Sequence, residues 1–195
     1  MKKDMHQSTY LLRHGFFNTT VTDSSGKPVP WMSLPAIDFL QARVPQGIFV
    51  FEYGCGYGTL WWAARARKVV SVEHDRQWLR TIMPQLPPNA HVIHKELIYG
   101  GDYAKTIVSM RGIPLDIVVI DGRDRLHCTQ HVLDVVDKKT TIIFDNADIP
   151  EYAEALSLIK AAGYKELPFC GPVHINILGE DTTTIFYQEG NCLGL

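Results

Sequence analysis

The sequence predicts a doubly wound α/β fold with a mostly parallel sheet. Three short apolar runs at residues 48–51, 117–120 and 142–144 are rich in β-branched or aromatic residues and do not alternate with polar ones. This pattern is typical of strands that are covered on both faces. Helical segments separate the runs, and strand–helix–strand units in one sheet connect by right-handed crossovers.

Helices and strands alternate through the first half of the chain. Residues 34–44 have the apolar spacing of a helix, and Pro35 suits its first turn. The first apolar run is followed by a helix at 59–67, a strand at 69–72, a helix at 76–83 and a strand at 91–94. Pro84 should end the helix before it, because proline lacks the N–H that a helix interior uses.

The last third of the chain predicts one helix and then a hairpin. Pro150 suits the first turn of a helix that runs to Ala162 and stops at Gly163. Residues 164–169 and 183–188 are rich in threonine and aromatic residues, and glycine and proline occur in the connection between them. We expect these two strands to pair antiparallel at one edge of the sheet.

The length of 195 residues fits one domain with a surplus of a few dozen residues. We assign residues 34–195 to this domain and residues 1–33 to an N-terminal arm, whose glycines and prolines make its second half irregular. The arm is a candidate lid over a substrate because it contains Phe16, Phe17 and Trp31. It could equally pack on a second subunit.

The composition is that of a globular protein, 46% hydrophobic and 21% charged. The 19 basic and 21 acidic residues give a formal net charge of −2, which predicts neither nucleic acid nor an anionic membrane as a partner. No stretch resembles a signal peptide or a membrane span, and the four cysteines form no C-x-x-C pair. We therefore expect a cytoplasmic, reduced protein without zinc or disulfides.

A glycine-rich turn lies between the first strand and the next helix. Residues 51–59 read Phe-Glu-Tyr-Gly-Cys-Gly-Tyr-Gly-Thr, which is G-x-G-x-G after Glu52. Glycines permit a sharp turn and a close approach of the backbone to a ligand. The dinucleotide pattern G-x-G-x-x-G fails at Thr59, and the phosphate-binding pattern G-x-x-x-x-G-K-[ST] is absent. The alternative is a turn that binds nothing.

An acid follows the predicted second strand. Glu73 lies nineteen residues after Gly54, and a carboxylate at this strand tip can accept hydrogen bonds from both hydroxyls of a ribose. The alternative is a solvated loop carboxylate. Together, the turn and the acid favour a ligand that contains adenosine.

These residues resemble the class I S-adenosylmethionine-dependent methyltransferases, whose E/D-x-G-x-G-x-G motif holds the amino-acid part of the cofactor and whose second strand ends in a ribose-binding acid. The resemblance covers about residues 35–188 and implies a Rossmann-like fold with S-adenosylmethionine as cofactor. Glu96, after the third strand, stands where the family often has an acid near the adenine. The residues implied to bind the cofactor are Glu52, Tyr53, Gly54, Cys55, Gly56, Gly58, Glu73, His74, Glu96 and Asp121.

Two further strand tips carry oxygen ligands. Asp121 follows the fourth strand, and Asp145 and Asn146 follow the fifth. Because ligands gather at the carboxyl ends of the strands in a doubly wound sheet, these three side chains should converge beside the cofactor. Two carboxylates and an amide oxygen suit a hard cation such as Mg²⁺.

This Asp, Asp and Asn pattern is similar to the metal-dependent catechol and caffeoyl-coenzyme A O-methyltransferases, where the matching residues hold a divalent cation. Those families place a lysine as base three residues after the first Asp, whereas this chain has Asp124. Asp121 and Asp124 are therefore the candidate catalytic residues, although Arg123 and Arg125 would weaken Asp124 as a base or bind an acidic substrate. The alternative is that Asp121 and Asp145 cap helices or pair with these arginines, without metal.

The sequence thus predicts a methyltransferase that acts on a hydroxyl of a small molecule or a glycan, with an oligomer left open. Residues 30–31, 35–40 and 71–75 are also similar to a subgroup of small bacterial methyltransferase-like proteins, which carries no substrate assignment. Aminopropyl transfer on the same fold and a cofactor-binding or degenerate interaction module are the alternatives. A nucleic-acid methyltransferase is disfavoured, because the chain has neither a basic stripe nor an N/D-P-P-Y motif.

Overall fold

A computed structural model describes residues 21–23, 25–173 and 176–195 of the chain. The strands in these residues are β1 (Ile48–Tyr53), β2 (Ala66–Glu73), β3 (Ala90–His94), β4 (Ile117–Ile120), β5 (Thr141–Phe144), β6 (Lys165–Val173) and β7 (Asn176–Tyr187). The α-helices are α1 (Leu34–Arg43), α2 (Tyr57–Ala63), α3 (Arg76–Ile82), α4 (Asp102–Lys105), α5 (Arg125–Leu133) and α6 (Ala153–Ala161). Short 3₁₀ turns occupy Met83–Gln85, Thr106–Met110 and Pro150–Tyr152.

The strands form one seven-stranded sheet in the order β3-β2-β1-β4-β5-β7-β6. The first five strands of the chain pair parallel to one another, while β7 runs antiparallel to both β5 and β6. The predicted α/β fold with an antiparallel hairpin at one edge is therefore confirmed. The last strand lies inside the hairpin edge, between β5 and β6.

Several element boundaries differ from the prediction. The helix expected at 59–67 ends earlier, because Ala66 already pairs with Ile48 in the parallel ladder of β1 and β2. Pro84 lies inside the 3₁₀ turn that continues α3. The helix expected from residue 150 begins with a 3₁₀ turn, and β7 is longer than the predicted strand at 183–188.

Apolar side chains cover both faces of the sheet, as the uninterrupted runs predict. Along β1, Val50 belongs to one buried cluster and Phe51 to another, because successive side chains point to opposite faces. Trp62 and α1 pack in the first cluster, while α5 and α6 contribute to the second. Across the described parts of the chain, no helix has both the length and the apolar character needed to cross a membrane.

The described part of the arm, from residue 21, packs against the domain. Val21, Val29 and Met32 are buried in the same cluster as α1. Ser33 donates its hydroxyl hydrogen bond to the carbonyl of Phe169 in β6 at 2.8 Å. Residues 1–20, with the two phenylalanines of the predicted lid, lie outside the described residues.

Candidate active site

The carboxyl ends of β1, β2, β4 and β5 open into one cavity of about 360 Å³. This is where a doubly wound sheet binds its ligands. The predicted site residues that line it are Glu52, Gly54, Cys55, Gly56, Gly58, Glu73, His74, Asp121, Asp145 and Asn146. Trp31 of the arm also lines the cavity and is 49% exposed.

The glycine turn crosses the tip of β4 in direct backbone contact. Gly54 has a φ of 85°, and a Cβ there would lie 3.0 Å from the carbonyl oxygen of Asp121. A Cβ on Gly122 would lie 2.9 Å from the backbone nitrogen of Gly54. The two loops therefore approach to a distance that only glycines permit.

Glu52 lies beneath this turn and is 3% exposed. Its Oε2 atom accepts hydrogen bonds from Thr59 Oγ1 at 2.5 Å and from Ser71 Oγ at 2.7 Å. Burial raises the pKa of Glu52 to about 8 against these two hydrogen bonds. A Cβ on Gly58 would lie 3.1 Å from Glu52 Oε1, so glycine keeps the space above the carboxyl open.

Glu73 ends β2 and joins the turn to the neighbouring strand tip. Its carboxylate accepts backbone hydrogen bonds from Cys55 at 3.1 Å, from His74 at 2.7 Å and from Asp75 at 2.8 Å. The residue is 5% exposed and still lines the cavity. These three N–H donors fix the position of the carboxylate at the tip of β2.

Trp78 is a site residue that the sequence interpretation missed. Asp75 caps α3 by accepting from the backbone N–H groups of Gln77 and Trp78 at 2.7 and 3.0 Å. The cap places the Trp78 indole so that its Nε1 atom donates to the carbonyl of Cys55 at 2.6 Å. The ring lies against Gly56, where a Cβ would be 3.5 Å away. The Asp75 cap was the available signal.

The side chains of Asp121, Asp145 and Asn146 line the same end of the cavity, and the Arg125 guanidinium lies among them. Nη2 of Arg125 donates to Asn146 Oδ1 at 2.7 Å and to Asp121 Oδ1 at 3.2 Å. Nη1 of the same guanidinium donates to the backbone carbonyl of Asp145. Asp145 Oδ1 in turn accepts from Thr183 Oγ1 at 2.5 Å.

The predicted Mg²⁺ does not fit this arrangement. Asp121 Oδ1 and Asn146 Oδ1, two of the oxygens expected to bind it, already accept hydrogen bonds from Arg125, whose side chain is 6% exposed. Oδ1 of the third predicted ligand, Asp145, accepts from Thr183 instead. For Asp121 the structure therefore corresponds to the alternative in which the strand-tip acid pairs with an arginine. Within the described residues, no group of three or more His, Cys, Asp or Glu side chains is arranged to hold a metal.

The acids at this end of the cavity have raised pKa values. Burial raises the pKa of Asp121 to about 6, although Arg125 opposes the shift. Burial and then the Asp121 charge raise the pKa of Asp145 well above its ordinary value. Asp181 in β7, which the sequence interpretation did not include, lines the same cavity and accepts from Asn146 Nδ2 at 2.5 Å.

Asp124, the predicted base, is directed away from the cavity. It takes a left-handed backbone conformation with φ 52°, and its side chain is 1% exposed. Its Oδ2 atom accepts from the backbone N–H of Gly100 at 2.7 Å, and its Oδ1 atom lies 2.6 Å from His127 Nδ1. Because both oxygens are engaged beneath the surface, this geometry corrects the assignment of Asp124 as a base.

Two predicted cofactor residues also lie off the cavity. The Tyr53 side chain is fully buried and its hydroxyl donates to the carbonyl of Ala104 at 2.5 Å, so its role is packing. The Glu96 side chain is 77% exposed and lies 3.7 Å from Arg76. The structure thus gives Glu96 no contact with the site.

No protein-family model and no curated protein matches this sequence. Many solved structures are similar in fold. A precorrin-6y C5,15-methyltransferase from Geobacter metallireducens aligns at 12% identity and TM-score 0.58, covering 80% of this chain and 88% of that one. A precorrin 8w decarboxylase from Methanobacterium thermoautotrophicum aligns at 16% identity and TM-score 0.57, covering 85% and 95%.

A methyltransferase-like protein from Silicibacter pomeroyi aligns at 19% identity and TM-score 0.55, covering 83% of this chain and 90% of that one. At these identities the similarity concerns the fold. It extends over most of both chains. The chain therefore has the Rossmann-like fold of the class I methyltransferases.

Proposed function

We propose that this protein is an S-adenosylmethionine-dependent methyltransferase. The observation that carries the proposal is the joining of the glycine turn to the β2 acid, in which Glu73 accepts the N–H of Cys55 at one wall of the cavity. This arrangement offers a close backbone approach and a fixed carboxylate side by side. Both are needed for a ligand that combines an amino acid with a ribose.

The residues present fit this cofactor. Glycines at 54, 56 and 58 leave a cradle that a Cβ at Gly58 would partly fill. The Glu73 carboxylate lines the cavity and can accept from ribose hydroxyls, and the Glu52 carboxyl lies below the turn, where it can accept a hydrogen bond from the amino group of the ligand. When bound, S-adenosylmethionine supplies a reactive methyl group on a sulfonium, so the protein contributes mainly alignment.

We propose a hydroxyl of a small molecule or a glycan as the methyl acceptor. Asp121 lines the cavity, and a carboxyl with a pKa of about 6 can accept a proton near neutral pH. The volume of about 360 Å³ lies in the range of sites that bind small molecules. The proposal includes no metal, because Arg125 already donates to Asp121 Oδ1 and Asn146 Oδ1, two of the oxygens that would hold one.

Calorimetry with S-adenosylmethionine and S-adenosylhomocysteine tests the cofactor. We expect binding to the natural chain and a loss of about tenfold or more in Glu73→Gln, since each hydrogen bond to a charged group contributes about 1.5 to 3 kcal/mol. Glu189→Gln is the matched control, because that side chain is 93% exposed and lies 3.9 Å from Lys165. An absence of heat with both ligands would refute the proposal.

Methyl transfer is then measured as S-adenosylhomocysteine formed with a panel of phenols, catechols and sugars. We expect turnover with at least one hydroxyl class and a strong decrease in Asp121→Asn. Cofactor binding without turnover on any acceptor would contradict the transferase and favour the adenosyl-binding module.

A further inference from the structure

The guanidinium of Arg125 lies where the sequence predicts a divalent cation. It contacts oxygens at the ends of two adjacent strands, at 3.2 Å to Asp121 Oδ1 and 2.7 Å to Asn146 Oδ1. It also donates to the backbone carbonyl of Asp145. Each of the three residues of the predicted cation site is therefore bound to one arginine.

The position of this side chain is fixed from several directions. Arg125 Nε donates to the carbonyl of Gly122 at 3.0 Å. The guanidinium carbon lies 4.8 Å from the ring centre of Tyr152 and 5.7 Å from that of Phe144. With a side-chain exposure of 6%, Arg125 is a built part of the cavity wall rather than a surface residue in transient contact.

The arginine and a divalent metal ion cannot both occupy this position, because both are positively charged. The Arg125 guanidinium is a permanent cation that forms a planar set of hydrogen bonds, and it is paired here with the carboxyl of Asp121. A divalent ion on the same oxygens would have to displace these hydrogen bonds. It would also bring two positive charges next to a buried one.

We infer that Arg125 takes the place of a divalent cation at the tips of β4 and β5, so that no metal binds or is required there. Arg125 then acts as a positioning residue that holds Asp121 and Asn146 in the orientation facing the acceptor. The catalytic part of this inference rests on the proposed methyl transfer. The part about cation binding does not.

Titration with Mn²⁺ alone, followed by the electron paramagnetic resonance of free Mn²⁺, tests the cation position. We expect no binding to the natural chain up to about 1 mM, the weak limit of oxygen-ligand sites in proteins. In Arg125→Ala the side-chain oxygens of Asp121 and Asn146 lose the arginine, next to the carboxylate of Asp145, and we expect Mn²⁺ to bind with a dissociation constant of about 0.1 to 1 mM.

Two controls make the titration specific. Arg123→Ala removes a positive charge from the same segment and, because Arg123 donates no hydrogen bond to the cluster among those described, should not create a site. Adding Asp145→Asn to Arg125→Ala should weaken the new Mn²⁺ site at least tenfold. Arg125→Met serves as a second variant, since an unbranched apolar side chain retains the packing next to Tyr152.

The outcomes are distinct. Mn²⁺ binding to the natural chain that Asp145→Asn abolishes would overturn the inference, and so would a folded Arg125→Ala or Arg125→Met protein that binds no Mn²⁺. If neither variant folds, the test rests on the natural chain. Mn²⁺ binding to the natural chain overturns the inference, and the absence of Mn²⁺ binding supports it.

Activity separates this inference from the proposed function. We expect methyl transfer by the natural chain to be unchanged by EDTA, and slow transfer by Arg125→Ala to rise at least tenfold with millimolar guanidinium. A purely structural role would not give such a rescue, and its absence in a folded variant would overturn the positioning role. Failure of the natural chain to bind S-adenosylmethionine would refute the methyltransferase proposal and leave the Mn²⁺ result valid.

Discussion

Two glycines permit the loops after β1 and β4 to touch. Gly54 needs its positive φ, whereas Gly122 is required by space alone. A Cβ at Gly122 would meet the Tyr103 hydroxyl at 2.0 Å and the backbone nitrogen of Gly54 at 2.9 Å. The Tyr103 side chain can move away, but the backbone nitrogen of Gly54 can move only if the whole glycine turn moves.

Gly122→Ala should therefore reduce both stability and cofactor affinity. We expect a loss of about 1 to 3 kcal/mol in the free energy of unfolding, which is usual for overpacking. Gly112→Ala is the comparison, because its positive φ causes strain but nothing lies within 4 Å of its Cβ. Urea unfolding and calorimetry should show a loss of affinity in the first variant and none in the second. Full recovery by an added Tyr103→Phe would contradict the backbone contact as the cause.

The proton on Glu52 gives a second prediction at the residue scale. Its folded-state pKa of about 8 lies above the ordinary value of 4.5, so the folded chain binds this proton more tightly than the unfolded chain. The resulting stability is complete at pH values below about 4.5 and is lost as the pH rises to 8.

Glu52→Gln should remove this dependence, because glutamine resembles the protonated acid. Relative to the natural chain, we expect the free energy of unfolding of the variant to rise by about 1 kcal/mol per pH unit between pH 5 and 8. Urea unfolding across that range measures it. Parallel pH profiles in the two proteins would contradict the raised pKa.

Some residues of the site could be predicted from the sequence and others could not. The glycines and Glu73 could be placed because a turn and a strand tip are local features. Asp181 could not, because it reaches the cavity only through the insertion of β7 between β5 and β6. The Arg125 rotamer, which decides between a metal and an ion pair, depends on packing against Tyr152 that no spacing encodes.

At the scale of elements, a chain of hydrogen bonds links the arm, β7 and β5. The backbone N–H of Ser33 donates to Thr183 Oγ1 at 3.0 Å, and that hydroxyl donates to Asp145 Oδ1 at 2.5 Å. Ser33 and Thr183 are fully buried, so water cannot replace either contact. One hydroxyl therefore holds three elements together beside the cavity.

Thr183→Val keeps the shape and removes both hydrogen bonds. We expect a loss of about 1 to 3 kcal/mol in the free energy of unfolding, because the Ser33 N–H is left buried without an acceptor. Thr183→Ser, which retains the hydroxyl, should lose less. The midpoint of urea unfolding measures the difference, and equal midpoints for the valine variant and the natural chain would contradict it.

The elements themselves were largely predictable, and the errors have physical causes. The three apolar runs gave β1, β4 and β5 because burial on both faces leaves few polar residues in them. The helix predicted at 59–67 is too long, because Ala66 and Arg67 are compatible with a helix in sequence but belong to β2, which pairs with β1. The position of β7 inside the hairpin edge depends on long-range pairing and leaves no local signature.

At the scale of the whole molecule, the described part of the arm contributes both to the buried core and to the cavity. Met32 is 1% exposed and belongs to the buried cluster that contains α1, whereas the preceding Trp31 is half exposed and lines the cavity. Adjacent residues thus divide two tasks, one in folding and one at the site.

A paired substitution separates these tasks. Met32→Ala should cost about 2 to 5 kcal/mol of stability, as large-to-small core changes do, without changing the cofactor affinity of the folded protein. Trp31→Ala should change stability by less than about 0.5 kcal/mol while weakening binding in the cavity. Thermal unfolding and calorimetry measure both effects. A Trp31→Ala protein with unchanged affinity for cofactor and acceptor would contradict its role at the site.

The order of the cavity residues along the sequence also determines when each half of the cavity can form during translation. The glycine turn, Glu73 and Gly122 have all been synthesised by residue 122, whereas Asp181 and Thr183 follow about 60 residues later. At about 5 to 20 residues per second, several seconds separate the two halves. A nascent chain can therefore form the wall built by the glycine turn and Glu73 first, before the Thr183 hydroxyl that binds Asp145 has been synthesised. The wall that contains Asp145 and Asp181 is complete only once β7 has inserted beside β5.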